Sequence, residues 1–315
     1  MIDATPTGAP DINDDLPVGQ AATVHRTLGQ DVWRQFRRHK GGLVGLGLLI
    51  FITFSVVFGP FLYRVDPFAI DVMGANTGPS WASPLGTDNL GRDVLARLLV
   101  GGRISLAVGF TAMLFGLVLG TAAGVLAGYF RRLDGALMRV TDLFLALPIL
   151  PLLLIVIMLF REPLKVTFGP TLGVFLLVVF IIGATSWMTT ARVVRSEVLV
   201  IKEKEFVVAA QSIGTRKRKV IMRHLLPNVM SPIMVSAALG VAGAIVTESA
   251  LSFLGLGFPA DFPTWGRLLF DAKDYLQLAP ARVIAPGLLI SLTVLSVNFI
   301  GDAIRDALDP KLRSR

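Results

Sequence analysis

The sequence predicts an all-α integral membrane protein with six transmembrane helices and both termini in the cytoplasm. Three observations predict it. Six stretches of 18 to 27 residues contain no Asp, Glu, Lys or Arg, and a bilayer core about 30 Å thick needs ~20 apolar residues at 1.5 Å rise per residue. Mean hydropathy is +0.68, with 53% hydrophobic and 17% charged residues, whereas a soluble domain carries about a quarter charged residues. The basic residues also alternate between the connecting segments, as the positive-inside rule requires.

The elements follow in order. Residues 1–26 are rich in Pro, Gly and Asp and read as a disordered cytoplasmic tail. They hold no apolar core of a cleavable signal peptide. An amphipathic lead-in helix over 27–40 brings Arg34, Arg37, Arg38 and Lys40 to the lipid headgroups. The membrane domain occupies 41–315, with spans near 41–63, 104–130, 143–160, 166–191, 225–256 and 283–301. Pro148 and Pro151 give the third span a kinked start. Of the 30 Lys and Arg, 21 fall in segments 1–40, 131–142, 189–224 and 302–315, and nine in 64–103, 161–165 and 257–282. The first set nets +8 against its 13 acidic residues and the second about +1. The overall charge of +8 is therefore a topology signal and not a nucleic-acid footprint.

Composition excludes several chemistries. There is no cysteine, hence no disulfide, zinc-thiolate or iron–sulfur site. His25, His39 and His224 are too scattered to hold a metal, and no span contains a histidine. No H-E-x-x-H and no G-x-x-x-x-G-K-[ST] occurs, so a membrane-embedded enzyme is disfavoured and the chain has no nucleotide loop of its own. Ser105, Ser186, Ser236 and Ser291 read as ordinary interhelical hydrogen-bonding residues.

Two features stand out within the spans. Ala112, Gly116, Gly120, Gly124 and Gly128 repeat every four residues and form one ridge of small residues along the second span, suited to close helix packing or to a sliding, partner-facing seam. Glu248 is the one Asp, Glu, Lys, Arg or His inside a span. It reads as a structural hydrogen-bond anchor ahead of a functional carboxylate, because it lacks a charged companion for a proton or ion relay.

The long loop 192–227 is charged yet patterned. Val194, Val198, Ile201, Phe206 and Ala210 recur near helical spacing, Gly214 supplies a helix end, and Arg216 opens a cationic run to Lys219. A second amphipathic stretch, 220–226, leads to Pro227, suited to a first helical turn. The loop reads as a helix, a glycine turn and a second helix beneath the membrane.

At these residues the chain resembles the permease subunits of bacterial ABC importers, whose shared cytoplasmic loop reads E-A-A-x3-G-x9-I-x-L-P. Ala209, Ala210, Gly214, Leu226 and Pro227 match in register. Val208 stands in the place of the Glu, and His224 in the place of the Ile, a form similar to the peptide/nickel branch. Segments 83–106, 134–154, 187–199, 248–266 and 298–313 resemble the C-type subunits of the dipeptide/oligopeptide permeases in the same order, so the likeness covers roughly 30–313. The resemblance implies a type I ABC importer permease fold in a bacterial inner membrane. It implies half of a translocation pathway for di- or oligopeptides, shared with a B-type permease. Two ATPase subunits binding ATP and Mg would dock on the loop, and an extracytoplasmic substrate-binding protein would dock outside, with 64–103 and 257–282 as candidate surfaces. Trp81 and Trp265 there suit plain interfacial anchoring at least as well. This chain would bind no cofactor or metal. Glu203 and Glu205 stand ready to supply the carboxylate missing at Val208. Nickel, glutathione or another small solute is the alternative cargo within the class, and an ion-driven secondary transporter is the alternative outside it.

Overall fold

The computed structural model describes residues 33–308. The proposed tail 1–26 and residues 27–32 of the lead-in helix lie outside the described residues. Of that lead-in, residues 33–36 are helical. His39 then caps the next helix, its Nδ1 accepting from Gly42 N at 2.9 Å.

Ten helices follow. They are α1 (Lys40–Leu62), α2 (Val94–Tyr129), α3 (Arg131–Ala146), α4 (Ile149–Phe168), α5 (Pro170–Ile201), α6 (Glu205–Ser212), α7 (Lys217–Val220), α8 (Met230–Phe253), α9 (Trp265–Ala272) and α10 (Ala281–Leu308). Five of them (α1, α2, α5, α8 and α10) are long and apolar enough to cross a membrane. A sixth candidate is a bent pair, α3 and α4, which meet at 89° and make one crossing only when counted together. The bend falls at Leu147 and Pro148, where proline disfavours helical backbone in the residue before it.

That bend shifts the helix boundaries from those expected for the third span. Residues 143–146 belong to α3, which is 16 residues long and carries Arg131, Arg132, Asp134, Arg139 and Asp142. It is too short and too charged to span a bilayer. The segment 161–165, expected as a loop, instead continues α4 as helix, with Pro163 inside it. The turn into α5 comes at Gly169, whose φ of +84° lies in the left-handed region open to glycine.

Two helices outrun the expected spans. The second starts ten residues before 104 because Asp93 caps it, accepting from Ala96 N at 2.7 Å. At 36 residues it is about 54 Å long, well beyond a hydrocarbon core. Similarly, α5 runs on to Ile201, absorbing the first ten residues of the loop.

Packing centres on α2, which lies against α1, α5, α8 and α9. The ridge on α2 faces α5. A Cβ on Gly120 would sit 2.6 Å from the Trp187 carbonyl oxygen, one on Gly124 2.6 Å from that of Ala191, and one on Gly128 2.7 Å from Val198 Cβ. A Cβ on Gly116 would strike Ser186 Oγ. Without side chains in the way, the two backbones meet directly, and dispersion over that length replaces the hydrophobic drive that lipid cannot provide. Elsewhere α10 packs on α1 and α8, and α4 on α5.

Candidate functional site

The loop after α5 is rigidly seated at one end of the bundle. Val207 of α6, Val220 of α7 and Leu225 and Val229 of the following turn are fully buried. They join Val125 of α2 and Val194, Val198 and Ile201 of α5 in one apolar cluster. Lys202 Nζ donates to the Gly128 carbonyl at 3.1 Å, satisfying an open carbonyl at the C-terminus of α2. A single π-helical stretch, Ile221–Leu225, joins α7 to the turn before α8.

Around the elbow, Thr215 N donates to the Ala210 carbonyl at 3.1 Å and Gly214 N to that of Gln211 at 2.9 Å. Gly214 has φ +77°, and nothing lies within 4 Å of where its Cβ would be. Glycine is needed there for its backbone and not for space.

The outward face of α6 differs from the sequence pattern. Ala210 turns inward to 8% exposure, whereas Ala209 stays outside. Val207 is the inward anchor and Phe206 is exposed, because a 205–212 helix restarts its phase after the break at 202–204. Phe206, Val208 and Ile213 therefore present an apolar edge, with Ile213 82% exposed. Glu203 and Glu205 are exposed beside it. Behind that edge the His224 ring lies 6.2 Å from that of Phe206. Arg216 and Pro227 are exposed and Leu226 is half-buried on the apolar cluster. Pro227 sits in the turn before α8, which begins only at Met230.

Next to the loop, α3 is strapped to the end of α5. Arg195 Nη2 donates to Asp134 Oδ2 at 2.7 Å, and Arg192 Nη2 donates to Asp142 Oδ1. The hydrogen bond from Arg195 holds the Asp134 carboxyl below the usual carboxylate range.

A second feature lies deeper, between α2, the start of α4, α5 and α8. A cavity of about 360 Å³ is lined by Met113, Thr185, Ser186, Thr189, Ser236 and Thr247 among others, and none of its lining residues is charged. The volume is within the ~300–1,000 Å³ of small-ligand sites. Ser186 and Ser236, read from sequence as packing residues, face this space. The threonines are not singled out from sequence, although Thr185, Ser186, Thr189 and Thr190 form an i, i+1, i+4, i+5 stripe on one helical face.

Glu248 sits at the other end of α8, fully buried. Ser252 Oγ donates to its Oε1 at 2.8 Å, and Ser105 Oγ donates to Oε2 at 3.2 Å. Ser105 Oγ in turn accepts from Trp265 N at 3.1 Å. The carboxylate thereby ties α2, α8 and α9 together. Trp265 itself is fully buried and donates Nε1–H to the Leu98 carbonyl at 3.1 Å. It is a core residue and offers nothing to a docking partner, whereas Trp81 is fully exposed.

With this geometry in place, comparison with known proteins is informative. Residues 116–314 match a family profile described as binding-protein-dependent transport system inner membrane component. Residues 27–79 match the N-terminal TM domain of oligopeptide transport permease C. The dipeptide transport system permease protein DppC of Alkalihalophilus pseudofirmus is 36% identical over 312 residues, covering 99% of this chain and 98% of that one. The protein of the same description from Bacillus subtilis is 40% identical over 286 residues, covering 90% and 86%. Among solved structures, a chain of the inward-facing MetNI methionine ABC transporter superposes with a TM-score of 0.53 at 17% identity, covering 69% of this chain and 97% of that one. At that identity the likeness speaks for the fold.

Proposed function

Because the chain belongs to the binding-protein-dependent transport system inner membrane components, we propose that it forms half of the translocation pathway of an ATP-driven importer of di- or oligopeptides. In this reading its basic end faces the cytoplasm, and a B-type permease supplies the other half. Two ABC ATPase subunits, which bind ATP and Mg, sit on the α6 elbow, and an extracytoplasmic binding protein delivers the cargo.

One observation carries the coupling role. The exposed edge of Phe206, Val208 and Ile213 stands on a base, Val207, Val220, Leu225 and Val229, that shares a single apolar cluster with the ends of α2 and α5. A close-packed cluster transmits displacement without absorbing it. Closure of the ATPase subunits would move α6 as a rigid body and carry α2, α5 and the start of α8 with it. Val208 removes the carboxylate of the resembled motif, so this contact is apolar at that position, with Glu203 and Glu205 at its rim.

The cavity lining supports a peptide pathway of broad tolerance. Hydroxyls of Thr185, Ser186, Thr189, Ser236 and Thr247 can exchange hydrogen bonds with peptide groups. The uncharged wall repels neither acidic nor basic side chains. Selection among peptides then falls to the binding protein.

The test is reconstitution of the complete complex in liposomes with labelled di- and oligopeptides. The expected result is uptake that requires both ATP and the binding protein and is lost on Val208→Arg in α6. Uptake driven by a proton or sodium gradient without ATP would overturn the reading.

A further inference from the structure

At the end of the bundle opposite the α6 elbow, four guanidinium groups surround two carboxylates. Arg92 Nε pairs with Asp88 Oδ2 at 2.7 Å, and Arg97 Nε lies 3.8 Å from the same oxygen. Arg97 Nη2 lies 3.6 Å from Asp271 Oδ2, while Arg267 Nε pairs with Asp271 Oδ1 at 2.9 Å. Arg282 borders the same space. It donates to Asn76 Oδ1 at 2.8 Å and lies over the Tyr275 ring at 5.6 Å, and among the described residues no carboxylate comes within ion-pair distance of it. The set therefore holds two positive charges in excess.

Burial makes that excess expensive. Arg97 is 0% and Arg282 4% exposed. Three of their N–H groups, at Arg97 Nε, Arg97 Nη1 and Arg282 Nε, are buried without an acceptor, and Asp271 Oδ2 is buried without a donor. Arg282 is a buried guanidinium without a carboxylate partner, and both that charge and each orphaned group are costly to keep from water. A cavity of about 20 Å³ lies between these groups, lined by Asp88, Arg97, Asp271 and Arg282, with exposed Asn89 at its mouth. About 10–15 Å³ holds one water, so the space takes a single monatomic occupant and excludes sulfate, phosphate or a partner's carboxylate. Asp88 Oδ2 and Asp271 Oδ1 are engaged by Arg92 and Arg267, which turns the excess positive field toward Arg97 and Arg282, while Asp271 Oδ2 stays without a donor. A water there would serve the N–H groups and Asp271 Oδ2 but leave the excess charge unmatched. A halide answers that charge and the orphaned donors and leaves Asp271 Oδ2 open. The buried positive excess decides for the halide.

We propose that this cavity is a chloride site, one ion held between Arg97 and Arg282 and reached past Asn89. It joins the segment around Asn76 and Asp88 to α2, α9 and α10, and so locks this end of the bundle. The proposal is independent of which solute is carried.

The test uses the intact permease complex in nanodiscs. Exchanging chloride for gluconate at constant ionic strength should lower the unfolding midpoint by ~2–4 °C, and bromide should restore it with saturation. Arg282→Gln, which keeps a donor for Asn76, should abolish the dependence. Crystals of the wild-type complex grown in bromide should show an anomalous peak between Arg97 and Arg282, a result that stands even if the variant fails to fold. Identical midpoints in chloride and gluconate, or a cavity holding water alone in bromide, would overturn the proposal.

Discussion

Replacing Gly124 by alanine places a methyl carbon 2.6 Å from the Ala191 carbonyl oxygen and 2.8 Å from Val194 Cβ. Tolerable contact begins near ~3.4 Å, so α2 and α5 must separate locally by about 0.6–0.8 Å, a displacement that forfeits a quarter or more of each affected dispersion well. Backbone oxygen and Cβ cannot rotate aside as a long side chain would. Overpacking of this kind costs ~1–3 kcal/mol, and the gain of alanine over glycine within a helix returns ~0.5–1 kcal/mol. The net expectation is ~1–2 kcal/mol of destabilisation, or ~2–6 °C in the midpoint. Gly47 is the control, since nothing lies within 4 Å of its Cβ position in α1; Gly47→Ala should be neutral or stabilising by the propensity gain alone. The double variant Gly120→Ala with Gly124→Ala should cost less than the sum of its parts, because a single outward shift of α5 relieves both clashes. Thermal unfolding of the purified complex, followed by fluorescence-detected size exclusion, reads these three variants and the Gly120→Ala single that the sum requires. Gly124→Ala matching or exceeding the wild type in stability would refute the claim that backbone contact at this seam holds α2 to α5.

Two further outcomes are expected. Gly214→Ile forces a β-branched residue to φ +77° at a cost of ~1–2 kcal/mol or more; the complex should assemble and hydrolyse ATP while peptide uptake falls, and wild-type uptake would refute a role for the elbow in coupling. Glu248→Leu should destabilise by ~2–4 kcal/mol because Ser105 and Ser252 lose their acceptor, whereas Glu248→Gln should cost far less and leave uptake intact. If the glutamine variant kept its melting temperature but lost transport, Glu248 would be a functional carboxylate after all.

How far the site could be read in advance varied with the kind of signal. Gly214 was legible as an elbow because a glycine following a periodic run is a local signal, and its backbone angle is a local property. The inward face of α6 was not. The expected phase ran unbroken from Val194 through Phe206 to Ala210, but the break at 202–204 resets the helix, so Val207 takes the buried position and Phe206 faces out. Trp265 illustrates the same limit. An aromatic residue after the fifth span suits an interfacial anchor equally well, and only the return of α9 onto α2 and α8 buries it. Arg97 and Arg282 stand 185 positions apart in the chain and nothing in their neighbourhoods marks them as companions.

The sequence by itself determined the membrane class, the ridge on α2 and the family, because hydropathy, small-residue spacing and motif register are all carried by neighbouring positions. Tertiary structure alone decided that α3 turns 89° away from α4, that the hydroxyls of α5 and α8 share one cavity, and that buried guanidinium groups converge at the end of the bundle opposite the α6 elbow. Those depend on which helices meet, and in lipid every apolar helix face looks alike until a particular neighbour covers it.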